Sequence, residues 1–408
     1  MSSTQVEIQI IASLVAIACA IPGTFLVLRK MAMISDAISH SILPGIAIGF
    51  IVVHGNFSFI DEFYFLAKFK QILINYNLES PFIIILAVIA GLITVILVEY
   101  IQKTKLVKAD TAIGLVFPVL FSIGVIIIAK NANDIHLDVD AVLLGELAFA
   151  PFDRFLIDEV DMGPKSLWII GTILFITFVL LIIFFKELKV STFDKGLAAS
   201  LGFSPVIIHY SLMSVSSVTI VGAFDAVGAI LVVALMIAPA AAAYLLTKDL
   251  KKMLALAVGF GIFSAICGYW VAHWLDASIA GSITTILGLV FLLVYLCAPT
   301  KGVIAVLFRE RQQRTEVLLL TFLLHIKNHK DENERHANHL NEHINWQKIR
   351  SKTILNLALN NNMITITDDI ISLTEKGNTF TSKAIDYIVT NKDTLIEDIK
   401  DDFFLFRG

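Results

Sequence analysis

Nine separate apolar stretches dominate this chain and constrain its fold more than any other feature. An α-helix of about 20 apolar residues just crosses the hydrocarbon core of a bilayer. The stretches cover approximately residues 8–28, 34–54, 81–101, 111–130, 166–186, 205–222, 226–247, 252–273 and 279–298. Only 16% of the residues are charged, whereas an average soluble domain is about a quarter charged. We therefore predict an all-α polytopic membrane protein with about nine transmembrane helices.

Lysine and arginine collect in alternate connections between these stretches, and this asymmetry predicts the orientation. The basic connections contain Arg29, Lys30, Lys103, Lys105, Lys108, Lys186, Lys189, Lys195, Lys248, Lys251 and Lys252. The other connections are acidic, and the largest of them covers residues 131–165. Because basic connections normally face the cytoplasm, we expect the N-terminus outside and, after nine crossings, the C-terminal region inside.

Residues 205–247 form one long apolar run that is interrupted only at residues 222–225. That interruption reads Gly-Ala-Phe-Asp, and a run of this length is enough for two spans. We therefore predict that a tight hairpin at 222–225 joins the sixth and seventh helices.

The apolar character ends near Leu307, and residues 309–408 have the composition of a small soluble domain of almost balanced charge. The predicted order is a helix at about 311–329, a histidine-rich segment at 330–343, a helix at about 346–362, two short strands around 368–369 and a helix at about 376–391. Helices followed by a two-stranded wing resemble a winged-helix domain. We predict a transmembrane domain at 1–305 and a small α+β, winged-helix-like cytoplasmic domain at 309–408.

Asp36 and His40 lie four residues apart at the start of the second apolar stretch, so a helix places both on one face. Ionisable groups in an apolar helix are costly and usually functional. A carboxylate with an imidazole suits Zn, Mn or Fe. The alternative is structural, with Asp36 capping the helix and His40 bonded to a neighbouring helix. Asp225 is a further carboxylate enclosed by apolar sequence, and either a pathway ligand or a solvated hairpin residue would explain it.

The stretch that contains Asp36, Ser39, His40, Pro44 and Gly45 resembles the Asp-x-x-Ser-His-x-x-x-Pro-Gly pattern of the ABC-3 family. These proteins are permeases that import Mn, Zn or Fe across bacterial membranes. Further likeness occurs in order at 114–117, 143–146, 227–235 and 239–241. The resemblance implies the fold of a type II ABC importer in the bacterial cytoplasmic membrane. It also implies Mn²⁺ or Zn²⁺ as substrate, with Fe²⁺ as a further candidate, and no resident cofactor.

The same resemblance implies partners and a docking element. A permease of this kind works as a dimer, with itself or a paralogue, embedded in membrane lipid between two ATPase subunits and an extracytoplasmic metal-binding protein. The Ala-x-x-Leu-Gly coupling helix of such permeases is similar to a segment containing Leu197, Ala198, Ala199, Leu201 and Gly202. A plain amphipathic linker is the alternative reading of that segment.

The chain has no Gly-x-x-x-x-Gly-Lys-Ser/Thr sequence, so it lacks the phosphate cradle of an ATPase. We therefore expect a transport subunit that is not an enzyme and that relies on a separate ATPase. The alternative is an ATP-independent secondary transporter or channel for divalent cations. Such a protein needs more intramembrane charges as coupling sites, and few are recognised in the sequence.

Half of the ten histidines lie between residues 325 and 343. They are His325, His329, His336, His339 and His343. This density is compatible with cytoplasmic metal sensing, although a polar exposed segment explains it equally simply. DNA binding is disfavoured because the predicted wing tip, 368–369, is acidic and the domain is not basic. We therefore favour a regulatory role over a membrane-anchored transcription regulator.

Overall fold

The computed structural model describes residues 3–54, 79–131, 147–157, 160–328, 348–367 and 370–390. The chain forms two compact units, Met1–Ala298 and Pro299–Gly408. The first unit contains α1 (Ser3–Leu28), α2 (Met33–Ser41), α3 (Leu43–His54), α4 (Glu79–Lys103), α5 (Ala109–Asn131), β1 (Arg154–Ile157), β2 (Val160–Pro164), α6 (Lys165–Ile183), α7 (Phe185–Phe193), α8 (Lys195–Ser200), α9 (Pro205–Leu246), α10 (Leu250–Leu275) and α11 (Ile279–Cys297). Strands β1 and β2 pair as an antiparallel hairpin.

Nine helical stretches among the described residues are long and apolar enough to cross a membrane. They are Ser3–Leu28, Met33–Val53, Phe82–Lys103, Ala109–Lys130, Lys165–Ile183, Pro205–Phe224, Ala226–Leu246, Leu250–Leu275 and Ile279–Cys297. Each overlaps one of the apolar stretches in the sequence, so the prediction of an all-α polytopic fold is confirmed. The second span consists of two short helices, α2 and α3, which meet at Ile42.

The break between the sixth and seventh spans lies three residues later than the sequence suggested. Residues 222–225 are helical within α9, so the hairpin predicted at that position is wrong. The non-helical backbone is at Gly228, where φ is 78° and ψ is 166°. A side chain is strongly disfavoured in this conformation, so the position requires glycine.

Contacts with α1 show that the two halves of α9 run in opposite directions. Phe25 packs in one buried cluster with Leu212 of the first half. Gly23 lies two residues earlier on α1. The backbone carbonyl of Met236, in the second half of α9, occupies the place where a Cβ of residue 23 would stand. In one straight helix, Leu212 and Met236 would be separated by about 36 Å. The chain therefore reverses between them, at Gly228.

Packing brings the basic connections to one end of the first unit. Leu250, at the start of α10, belongs to the same buried cluster as Phe25, next to Leu181 and Phe185 at the junction of α6 and α7. A polar pocket at this end is lined by residues from the α1–α2 connection and by Glu99, Asp110, Lys195 and others. We call this the basic end.

The second unit contains α12 (Val303–Asn328), α13 (Lys348–Asn360), β3 (Ile364–Thr367), β4 (Ile370–Leu373) and α14 (Glu375–Thr390). Strands β3 and β4 pair antiparallel. The unit has its own buried core, in which Leu319, Phe322, Ile354, Ile371 and Phe380 pack together. The order of helices and strands follows the predicted order, and the likeness to a winged-helix domain stays a prediction.

Candidate functional site

Asp36 and His40 lie next to each other on the partly exposed face of the nine-residue helix α2. The distance from His40 Nε2 to Asp36 Oδ1 is 3.5 Å. The Asp36 side chain is 42% exposed and the His40 side chain is 31% exposed. The two side chains therefore lie on one face of the helix, as predicted, and each is exposed enough to contact a further ligand.

The surroundings of the pair argue against a structural role. Ala32 occupies the N-cap position of α2, and Asp36 lies in the first turn, so Asp36 does not cap the helix. Within the described residues the His40 imidazole is hydrogen-bonded to no neighbouring helix. Its ring lies 5.9 Å from the ring of Phe117 and 6.1 Å from that of Phe121, both on α5. These aromatic contacts hold the imidazole in place, with its Nε2 facing Asp36.

The opposite face of α2 is buried and anchors the pair. Ile38 and Ser41 on this face are buried against α4. The Thr94 hydroxyl of α4 donates to the Ser41 hydroxyl at 2.6 Å. Gly91, one turn earlier on α4, leaves a gap that Ile38 and Ser217 occupy. Small residues thus bring α2 close to α4 and fix which face it turns outward.

The pair offers two donor groups to a cation. No cluster of three or more histidine, cysteine, aspartate or glutamate side chains that could hold a metal occurs in the described part of the chain. The backbone of Asp225 belongs to α9, and its side chain lies outside the described structure. His325 is half-buried on α12 in the second unit. The other four histidines of that group, His329, His336, His339 and His343, lie outside the described residues.

The predicted coupling segment forms the short helix α8, which projects from the basic end. The Asp194 side chain accepts hydrogen bonds from the backbone N–H groups of Gly196 at 2.8 Å and Leu197 at 2.9 Å, which caps the helix. Gly202 follows with φ of 86°, a conformation that suits glycine just after the end of a helix. Leu197 is 50% exposed.

The exposed face of α8 is both small and apolar. Leu201 is exposed, like Leu197, and so is Ala199. Ala198 is fully buried, so it supports the helix from behind. Of the predicted coupling residues, those on the outer face therefore present a compact apolar knob that suits a protein partner.

A second polar cluster at the basic end was not recognised in the sequence. We call it the Arg29 cluster, and it consists of Arg29, Glu99, Ser191, Thr192, His209 and Tyr210. Its members come from the α1–α2 connection and from helices α4, α7 and α9. A sequence signal existed, because Glu99 and His209 are ionisable residues inside predicted spans.

Arg29 is the centre of this cluster. Its Nε donates to Thr192 Oγ1 at 3.2 Å, its Nη2 donates to Ser191 Oγ at 3.4 Å, and its Nη1 lies 3.4 Å from His209 Nδ1. Burial lowers the pKa of the Arg29 guanidinium below its usual value, but the group stays charged at any physiological pH. The cation is therefore partly removed from water and held by three neutral partners.

Glu99 balances that charge on the other side of His209. His209 Nε2 is in contact with Glu99 Oε1, and the Tyr210 hydroxyl donates to Glu99 Oε2 at 2.6 Å. The arrangement suits an imidazole that donates from Nε2 to Glu99 and accepts at Nδ1 from Arg29. His209 thus bridges a half-buried cation and a half-buried carboxylate.

Comparisons with known proteins agree with this architecture. Residues 3–298 match the family model described as the ABC 3 transport family. The chain is 42% identical over 387 residues to the zinc transport system membrane protein TroD of Treponema pallidum (strain Nichols), covering 94% of this chain and 99% of that protein. It is 39% identical over 303 residues to the manganese transport system membrane protein MntD of Bacillus subtilis (strain 168), covering 74% of this chain and 95% of that protein.

A solved structure, PsaBC from Streptococcus pneumoniae in complex with Fab, superposes with a TM-score of 0.58. The sequence identity is 28%, and the match covers 74% of this chain and 94% of that chain. The match to MntD covers a length close to that of the first unit, whereas the match to TroD necessarily extends beyond residue 298. A second unit of this kind therefore occurs in one of these relatives as well.

Proposed function

The chain belongs to the ABC 3 transport family and is the membrane-spanning permease of a bacterial ABC importer for Mn or Zn, and from this premise we propose that the Asp36–His40 pair is the point at which the metal ion meets the permease. The hydrolysis of ATP belongs to a separate subunit of such an importer. The permease does no bond chemistry on its cargo, because its side chains only replace water around the ion.

The observation that carries the proposal is the geometry of the pair itself. A carboxylate oxygen and an imidazole nitrogen are 3.5 Å apart on one helix face, and both side chains are partly exposed. A carboxylate and an imidazole are hard-to-borderline ligands that suit Mn²⁺, Fe²⁺ and Zn²⁺. An incomplete ligand set is suited to transport, because a transported ion must bind and also leave.

A second permease subunit would complete the ligand set. Two copies of the pair supply two carboxylates and two imidazoles, which equals the four donors of a typical Zn²⁺ site. We place the pair at the interface of a dimer, formed with itself or a paralogue, and we keep Asp225 as a further candidate ligand. The metal would arrive from an extracytoplasmic binding protein.

The basic end would face the cytoplasm of a bacterial inner membrane. The lysines and arginines of the basic connections gather there, as expected for cytoplasmic loops. This orientation places the N-terminus outside and brings α8 to the side where an ATPase would dock. The exposed Leu197 and Leu201 then form the apolar contact of the coupling helix.

A charged side chain on α8 tests the coupling role. Ala199→Glu puts a carboxylate on the exposed face without disturbing the buried Ala198, so we expect it to abolish metal uptake while ATP hydrolysis continues. The matched control Ala199→Ser keeps the residue small and should leave uptake unchanged. Normal coupled uptake by the glutamate variant would move the docking surface elsewhere on the permease.

Reconstitution tests the proposed function as a whole. The permease and its ATPase are placed in liposomes, and uptake of Mn, Zn and Fe is measured with ATP, without ATP and without the ATPase. We expect uptake of Mn or Zn only when all components are present. Uptake that persists without ATP would instead establish a secondary transporter or channel.

The second unit has a regulatory role in this proposal, with its histidine-rich segment as the sensor of cytoplasmic metal. His325 is half-buried on α12, one residue before Ile326 of the unit's buried core. Deleting residues 309–408 should leave basal uptake and remove any inhibition by metal inside the liposome. If the truncated and full chains respond identically to internal metal, the unit has another role.

A further inference from the structure

The α1–α2 connection is short and tightly bonded, so movement of Arg29 must be passed on to α2. Residues 29–32 are the whole connection. Lys30 adopts φ of 58°, and the Met31 N–H donates to the Leu26 carbonyl at 2.9 Å. Four residues span at most about 14 Å even when they are fully extended. The connection therefore has little slack between Arg29 and Asp36, which lies in the first turn of α2.

On its other side, Arg29 holds the last turn of α7. Ser191 and Thr192 are the third and second residues before Asp194, which follows α7 and caps α8. The Ser191 side chain is fully buried, so its hydroxyl relies on partners inside the protein. The rigid, planar guanidinium donates one hydrogen bond to each of these two hydroxyls. A displacement of α8 consequently reaches Arg29 through only a few bonds.

A parallel route runs through α4. Glu99 is tied to His209 and Tyr210 of α9, and Thr94, five residues earlier on α4, is bonded to Ser41 of α2. The Arg29 cluster is thus joined to α2 at both ends of that helix. In the described residues, this cluster connects α7, α9 and α4 to the connection that precedes the Asp36–His40 pair.

We infer that Arg29 is a positioning residue that transmits the movement of the α7–α8 segment to helix α2, and so links the docked ATPase to the Asp36–His40 pair. The inference rests on the proposed function of α8 and of the pair. Arg29 touches no metal in this scheme. It acts because the planar guanidinium, through three of its nitrogen atoms, keeps the α7–α8 segment and helix α2 in a fixed position relative to each other.

The test measures the ratio of metal ions imported to ATP molecules hydrolysed by the reconstituted transporter, using Mn²⁺ and Zn²⁺ as the probes. We expect this ratio to fall by about fivefold or more in Arg29→Ala, the range of a typical coupling free energy. Arg29→Lys keeps the charge but not the fork, and should lower the ratio as well. Lys252→Ala removes an exposed charge at the same end and should leave the ratio unchanged.

Thr192→Val keeps Arg29 in place and removes one of its hydrogen bonds, so it serves if Arg29→Ala does not assemble. We expect a smaller fall in the ratio, about twofold, as one of three contacts is lost. A loss of protein stability alone would lower uptake and hydrolysis together and leave the ratio constant.

The outcomes separate the inference from its premise. A lower ratio in Arg29→Ala and Arg29→Lys, with wild-type metal binding at the Asp36–His40 pair, supports the inference. A wild-type ratio in the arginine and threonine variants overturns it while the proposed function stands. Absence of ATP-dependent uptake by the wild-type transporter overturns the proposed function, and the inference with it.

Discussion

The two polar sites around helix α2 are built in opposite ways. The Asp36–His40 pair has two members, both partly exposed, joined by one contact of 3.5 Å. The Arg29 cluster has six members from four segments, and its charged groups are each met by a partner. An under-coordinated site can accept and release a cation, whereas a saturated site holds helices in register. In the proposed function, this difference separates a group that binds the transported ion from a group that transmits movement.

Removing either member of the Asp36–His40 pair should have the largest effect on transport. We expect Asp36→Asn and His40→Gln each to abolish metal uptake, because each removes half of the donors that one subunit offers. The free energy of unfolding should change by less than about 0.5 kcal/mol, since an exposed pair contributes little. Uptake assays and thermal unfolding of the purified permease measure the two effects.

Asp276→Asn is the matched control for this prediction. Asp276 is an exposed carboxylate that follows α10 in a left-handed conformation, which asparagine adopts equally well. Its replacement should leave uptake intact. Should the Asp36 and His40 variants also retain normal uptake, the contrast between the two sites would lose its functional meaning.

A substitution in the Arg29 cluster should, in contrast to those in the pair, lower the free energy of unfolding substantially. His209→Phe leaves Glu99 with only the Tyr210 hydroxyl and takes an acceptor from Arg29. We expect the free energy of unfolding to fall by about 2 kcal/mol, because the change takes one of two partners from a half-buried carboxylate.

His273→Phe provides the control for the histidine substitution. His273 is exposed, and its ring stacks on Tyr269 with the planes 5° apart, a contact that phenylalanine can retain. Its replacement should cost less than about 0.5 kcal/mol. Equal shifts in the midpoint of thermal unfolding for the two variants would mean that the Arg29 cluster does not stabilise the fold.

The sequence predicted the spans and the Asp36–His40 pair because both depend on local patterns. Hydropathy over about 20 residues identifies a span, and a spacing of four residues identifies a shared helix face. The Arg29 cluster was missed because its bonds join residues far apart in the chain, such as Glu99 with Tyr210, 111 positions apart, and Arg29 with His209, 180 positions apart. Only the packing of the helices brings such residues together.

The position of the chain reversal in α9 was predicted wrongly because Gly222 and Gly228 have different roles. Gly222 belongs to the predicted break, but the Ile173 side chain fills the space beside it, so it is a packing contact within a helix. Gly228 makes the turn, and its neighbours Val227 and Ala229 are almost completely buried. A turn enclosed by protein needs no polar residues, and hydropathy therefore gives no signal for it.

The hydrogen bond between Thr94 and Ser41 joins α4, which contains Glu99 of the Arg29 cluster, to α2, which contains the Asp36–His40 pair. Its removal should have a smaller effect than the substitutions in the pair or in the cluster. Thr94→Val deletes this bond between α4 and α2. We expect a loss of about 1 kcal/mol in the free energy of unfolding, the usual value of a buried hydrogen bond. Thr219→Val is the control, because Thr219 is equally buried but donates only to Val215 of its own helix. If the two valine variants were equally stable, α4 would not brace α2, and the connection through Arg29 would be the remaining route to the Asp36–His40 pair.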